Sequence, residues 1–185
     1  MTNTHHPLGV TRSVTPVGGV ETEGLSDETL AVWADFLRFH AIVVDRLGRD
    51  LVEQTGLPLT WYDVLLQLDA APDGRLRMQD LASAIVLSKS GLTRLVDRLQ
   101  RQGYVERTSC PSDRRGTFAE ITAEGRATLR KANPVHLRGV AEHFAAHLSG
   151  KEVALLGRVM QTLIAAHGSP VGRLPCEGAP TAVAG

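Results

Sequence analysis

The sequence predicts a mainly α-helical protein with one small antiparallel β-hairpin. Three observations carry this. Apolar residues recur at three- and four-residue steps over most of residues 26–167. Two short strand-like runs, 104–108 and 117–121, flank a polar segment containing Pro111 and Gly116. Ahead of them, a short helix, a three-residue connection and a second helix have helix-turn-helix spacing.

The elements follow in order. Residues 1–24 and 168–185 are rich in Gly, Pro and Thr without periodicity and read as flexible tails. Ser26 is the expected N-cap of a long first helix, with Asp27 and Glu28 at its positive end. Leu30, Trp33, Leu37, Ala41, Val44, Leu47 and Leu51 form its apolar stripe, and it ends near Gly56. Thr60 is expected to cap a second helix reaching Ala70, with Val64, Leu65 and Leu68 inward. Residues 71–74 form a turn, and Leu76 marks a very short strand. A short helix covers 78–84, and Ser88 caps the next one. At about 100° per residue, Leu92, Leu95, Val96 and Leu99 fall on one side of that helix. Ser90, Thr93, Arg94, Asp97 and Arg101 fall on the other, with Arg98 on its shoulder. Gly103 ends it. Residues 109–116 read as the loop of the hairpin. Thr122 caps a further helix, which Asn133-Pro134 is expected to kink or interrupt. Ser149 caps the last, striped by Val153, Leu156, Val159, Met160, Leu163 and Ile164.

The chain has 185 residues, enough to bury a core without disulfides, and 20 Lys and Arg balance 20 Asp and Glu. The charges are polarised along it. Between residues 21 and 73 many acids face only Arg38, Arg46 and Arg49. Between 88 and 115, Lys89, Arg94, Arg98, Arg101, Arg107, Arg114 and Arg115 face only Asp97, Glu106 and Asp113. A basic helix and hairpin in a neutral protein are the footprint of a DNA-reading surface. No apolar run approaches the roughly 20 residues of a membrane helix, and the first residues lack a secretory core. Two distant cysteines suggest no framework, so a cytoplasmic protein is expected. No Gly-rich nucleotide loop, nucleophile elbow or metallohydrolase motif is present, so no enzyme and no cofactor are expected.

Residues 76–125 resemble the multiple-antibiotic-resistance regulator (MarR) family of winged-helix transcription factors. Leu81-Ala82 matches the first helix of the motif. Leu92-Thr93-Arg94-Leu95-Val96-Asp97-Arg98-Leu99 matches the recognition helix, and Gly103-Tyr104-Val105-Glu106-Arg107 the junction to the wing. Asp113-Arg114-Arg115, with Ile121-Thr122 and Gly125, matches the wing signature. The resemblance implies a winged helix-turn-helix over 57–122. It implies helical dimerisation segments, 25–56 and 123–167, forming an obligate homodimer on a pseudo-palindromic operator. It also implies release of the DNA by a small ligand or oxidant.

Arg94 has the fork that reads guanine O6 and N7, although pairing with Asp97 on a solvated helix face is the alternative. Ser90 and Thr93 suit base edges or phosphates. Lys89, Arg98 and the amides capped by Ser88 suit phosphates. Arg115 matches the family's minor-groove arginine at the wing tip, with Arg114 beside it on phosphate or solvent. Asp113, repelled by DNA, is expected to orient Arg115 or an arginine of the recognition helix. Trp33, His40, Trp61 and Tyr62 suit a flat aromatic or phenolic effector, with core packing as the alternative. His143 and His147, one turn apart, and His136 earlier have a spacing that binds zinc, but without converging acids or cysteines no metal site is expected. Cys110 at the wing offers redox control as an alternative, and a winged helix that binds protein instead of DNA is a third reading.

Overall fold

The computed structural model describes residues 25–85, 88–110 and 113–167; within these, the side chains of Lys89, Ser109, Cys110 and residues 113–116 lie outside the description. Six α-helices and three strands are described: α1 (Asp27–Thr55), α2 (Leu59–Ala70), β1 (Arg75–Arg77), α3 (Met78–Ala84), α4 (Lys89–Arg101), β2 (Val105–Cys110), β3 (Asp113–Ile121), α5 (Ala123–His143) and α6 (Gly150–His167). The chain divides into two compact units, residues 1–44 and 45–185.

The described part of the first unit is the amino-terminal portion of α1. Ser26 caps it as expected, its Oγ accepting from the Thr29 N–H at 3.1 Å. Trp33 stacks on Phe36 with centroids 5.8 Å apart, and Phe36 tilts against His40 at 6.4 Å. Trp33, Leu37 and Val44, expected to face inward, are exposed. The pattern is amphipathic, but within one chain the apolar stripe is buried only at Leu47 and Leu51.

The second unit holds the core. The sheet order is β1-β3-β2, all antiparallel. Val105, Ala119 and Ile121 lie on its inner face and pack with α2, α3, α4 and α5. Leu92, Leu95, Val96 and Leu99 of α4 close this core at 0–2 % exposure, as their angular grouping requires. The caps at Ser88, Thr122 and Ser149 form where the sequence places them. Ser88 Oγ accepts from Gly91 N–H at 3.1 Å and Thr122 Oγ1 from Gly125 N–H at 3.0 Å. Ser149 and Glu152 form a capping box that also holds the Glu152 carboxyl below its ordinary value. Gly91 has a local reason: a Cβ there would sit 3.1 Å from Ser88 Oγ and crowd the cap.

Three expectations are corrected. The second helix starts at Leu59, after Pro58 in an extended conformation, and Thr60 is not its cap. The Pro58 carbonyl accepts from the Trp61 and Tyr62 N–H groups instead. Most of the segment 109–116, read as loop, is strand: Cys110 pairs with Asp113, past an irregularity at Ser109 and Cys110. A two-stranded ribbon can expose both faces, so the polarity of Arg114 and Arg115 does not argue against a strand. Pro134 does not interrupt α5, which runs through to His143 with Phe144 as its C-cap. Pro134 and Arg130 are both exposed, so water can satisfy the carbonyl that the ring leaves without a donor.

Close approaches fix how α5 leaves the sheet. A Cβ on Gly125 would overlap the Tyr104 carbonyl oxygen and come 2.9 Å from Ile121 Cγ1. Gly125→Ala is expected to destabilise the protein by about 2–4 kcal/mol, since backbone cannot yield as a side chain does. Gly150→Ala, with nothing within 4 Å of the added methyl, should stay within about 0.5 kcal/mol in the same denaturant titration.

Candidate nucleic-acid interface

The outward face of α4 carries Ser90, Thr93, Arg94 and Arg98, all exposed. Arg94 does not pair with Asp97; its Nε donates to the Ser90 carbonyl at 3.4 Å, back along its own helix. Asp97 is held by Arg107. Arg107 Nη1 donates to Asp97 Oδ1, and Nη2 donates to the Thr93 carbonyl at 3.2 Å. One guanidinium on β2 therefore grips two successive turns of α4 and occupies the carboxylate that would otherwise compete for Arg94.

The role of Arg107 was not read from the sequence, although the signal was present. Arg107 alternates with Val105, so it points to the helix-covered face, where an arginine persists only when paired. Across β3 the register pairs Arg75 with Glu120 and Arg77 with Phe118, on the other face of the sheet. Both guanidinium carbons lie 5.4 Å from the Phe118 ring centroid, and Arg75 reaches Asp73 at 3.6 Å. These two arginines at i and i+2 were also missed.

The remaining sequence candidates are placed as follows. Ser88 is exposed at the head of α4, where its oxygen is taken by the cap. The wing residues Asp113, Arg114 and Arg115 begin β3, and their side chains, like those of Lys89 and Cys110, lie outside the described residues. Trp33 and His40 are exposed on α1. Trp61 meets Tyr104 edge to face at 6.2 Å. Tyr62 is buried, and its hydroxyl donates to Asn133 Oδ1 at 2.8 Å while His136 stacks on its ring at 4.5 Å. His143 and His147 do not share a helix, because α5 ends between them, and His143 pairs with Asp50 at 2.9 Å. Among the described residues no group of three or more His, Cys, Asp or Glu is arranged to hold a metal ion. Among them, too, no helix is long and apolar enough to cross a membrane.

The comparisons agree with this geometry. Residues 55–116 match the model of the MarR family. The crystal structure of Sco3205, a MarR family transcriptional regulator from Streptomyces coelicolor, in complex with DNA, superposes with a TM-score of 0.73 at 33% identity, covering 84% of this chain and 97% of that one. The chain belongs to the MarR family. It is thus a winged-helix transcriptional regulator, and its relatives are regulators rather than enzymes. AbsC, another MarR family regulator from Streptomyces coelicolor, matches with a TM-score of 0.71 and 34% identity over 79% of this chain and 97% of that one. The HTH-type transcriptional repressor YetL of Bacillus subtilis (strain 168) is 32% identical over 111 residues, 58% of this chain and 66% of that protein.

Behind the interface, α2 carries an acid in an unfavourable place. Burial pushes the Asp63 carboxyl up from 3.8 to about 6. The folded state therefore binds this proton more tightly than the unfolded chain does. Stability is greatest below the unfolded value and falls as pH rises from about 4 to about 6, then levels off. Partial exposure reduces the penalty at neutral pH to on the order of 2 kcal/mol. Asp63→Asn should raise the melting temperature by about 5 °C at pH 8 and leave it nearly unchanged at pH 4. An equal shift at both pH values would show that ionisation is not the cause.

Proposed function

We propose that the protein is a homodimeric, sequence-specific DNA-binding repressor that acts in the cytoplasm and is released by a small ligand, aromatic or phenolic in character. The observation that carries the DNA reading is the division of α4. Its apolar row is sealed in the core, while Ser90, Thr93, Arg94 and Arg98 stand in solvent on a helix held by Arg107. Arg94 reads a base edge, and Arg98 and Lys89 take phosphates, as do the amides at the Ser88 cap. At the wing, Arg115 enters the minor groove, Arg114 lies on the backbone, and Asp113 positions Arg115. The name of the relative YetL supports repression.

The dimer reading rests on apolar surface. On α1, Trp33 and Ile42 are nine positions apart and so on opposite sides of the helix, yet they are 57% and 47% exposed. On α6, Val153, Val159, Leu163 and Ile164 are exposed as well. Large apolar side chains exposed on opposite sides of a helix belong inside an assembly. A second copy covers both helices with one two-fold operation and presents two recognition helices to half-sites about one turn of DNA apart. Trp33→Glu combined with Leu163→Glu is expected to shift the protein toward monomer in light scattering and to weaken operator binding at least tenfold. The effector reading rests on residue type: Trp33, His40 and Trp61 offer aromatic faces with polar edges. Tyr62 belongs with the core, its hydroxyl already engaged by Asn133.

Fluorescence anisotropy with the protein's own upstream DNA tests the function. Specific DNA should bind at least a hundredfold more tightly than scrambled DNA in the same salt. Equal affinity for both would favour a protein-binding winged helix. Arg94→Ala should relax preference at particular bases, a cost of about 1–3 kcal/mol at each. Arg115→Ala should weaken all sequences alike and lower the salt slope by about one. Equal loss on specific and random DNA for Arg94→Ala would contradict its reading role.

A further inference from the structure

Two fastenings fix the angle at which α5 leaves the winged helix. The first is at its base. Thr122 Oγ1 donates to the Gly103 carbonyl at 2.6 Å, and Gly125 lies against the Tyr104 carbonyl. The helix start is thus tied to the end of α4 and the start of β2.

The second lies about ten residues further on, roughly 15 Å along the helix. Tyr62 of α2, 1% exposed, donates its hydroxyl to Asn133 Oδ1 at 2.8 Å. His136, three residues on from Asn133, stacks on the Tyr62 ring at 4.5 Å with the planes 29° apart. Asn133 and His136 straddle Pro134, whose missing N–H leaves the Arg130 carbonyl without its helical donor. The side-chain fastening therefore spans the point where α5 is intrinsically softest. His136 Nδ1 is buried without a hydrogen-bond partner, so polar bonding at that atom does not hold the ring there. Burial also keeps the imidazole below its ordinary pKa and thus neutral at pH 7.

α5 is the rod between the winged helix and α6. In a two-fold dimer its angle sets the separation and rotation of the two copies of α4. We propose that Tyr62, Asn133 and His136 are positioning residues that set the spacing between operator half-sites which the protein accepts. This rests on the homodimeric, DNA-binding reading above. One base pair added between half-sites moves them by about 3.4 Å and rotates them by about 35°, so a rigid rod discriminates and a loosened one does not.

The test uses the full chain and its upstream operator, with one base pair inserted or deleted between the half-sites. The wild-type protein should lose at least tenfold in affinity for either change. Tyr62→Phe removes only the hydroxyl, and His136→Ala only the stacked ring. Each should cut that penalty to about threefold, with affinity for an isolated half-site and the salt slope unchanged. Tyr62→Phe with Asn133→Ala together should do no more than either alone, since they share one bond. Should one variant fail to fold, thermal melting will show it, and the others carry the test. A folded variant that keeps the full penalty, or loses affinity equally at every spacing, overturns the proposal while the dimer stands. A wild-type dimer indifferent to spacing also overturns it. A wild-type monomer, or one that does not distinguish specific from random DNA, overturns the reading beneath it as well.

Discussion

The structure of the DNA-facing surface depends on how α4 is held, and Arg107 is the polar half of that hold. The apolar half is Leu92, Leu95, Val96 and Leu99, which fix the depth and roll of the helix against the sheet. Apolar contact is non-directional and leaves sliding along the axis weakly resisted. A guanidinium bonded to a carboxylate on one turn and a carbonyl on the previous one resists that sliding, because its fork geometry is fixed. The ion pair is only partly exposed, at 28% and 41% for the two side chains, so solvent screens it incompletely. It also ties recognition helix to wing: any displacement of β2 is felt at Thr93 and Asp97, between the residues that face outward.

The same pair explains how a neutral protein presents a basic face. Asp97 is an acid in the middle of the recognition helix and would repel phosphate if left in solvent. Paired to Arg107, it is turned to the helix flank, and Arg94 and Arg98 are left to define the outward field. Among the acids of α1 and α2, Asp35, Asp45 and Asp69 pair with Arg38, Arg49 and Arg126 respectively, and Asp50 with His143. Pairing of this kind cancels charge locally.

Most of this frame was legible in the sequence because the rules involved are local. A Ser or Thr oxygen reaching an amide three residues ahead depends on nothing distant, and Ser26, Ser88, Thr122 and Ser149 were all placed correctly. The angular grouping on α4 is similarly internal to one helix. The misreadings share a cause. Pro58 starts α2 through its backbone, with no side-chain signature to read. The strands of the wing are longer than their polarity suggests because cross-strand pairing, not burial, defines them. Pro134 is tolerated because it faces water, which depends on where α5 lies. Arg107, Tyr62 and Asn133 act through partners 10 and 71 residues away, and no short-range pattern encodes such pairs.

Energetically, the two ends of the winged helix are built differently. Around α4 the buried residues are apolar, and the one inward arginine is satisfied. Where α2 meets α5, a hydroxyl is spent on an amide and an imidazole keeps an orphaned nitrogen. The unpartnered nitrogen costs free energy that an apolar group in its place would not. A recognition helix must hold its side chains closely, whereas a helix leading away from it must hold a defined angle, which directional contacts serve. The two holds therefore differ in kind: α4 is fixed mainly by apolar burial, whereas Tyr62, Asn133 and His136 tie α5 to α2 partly through a directional hydrogen bond, which fixes orientation more than it adds stability.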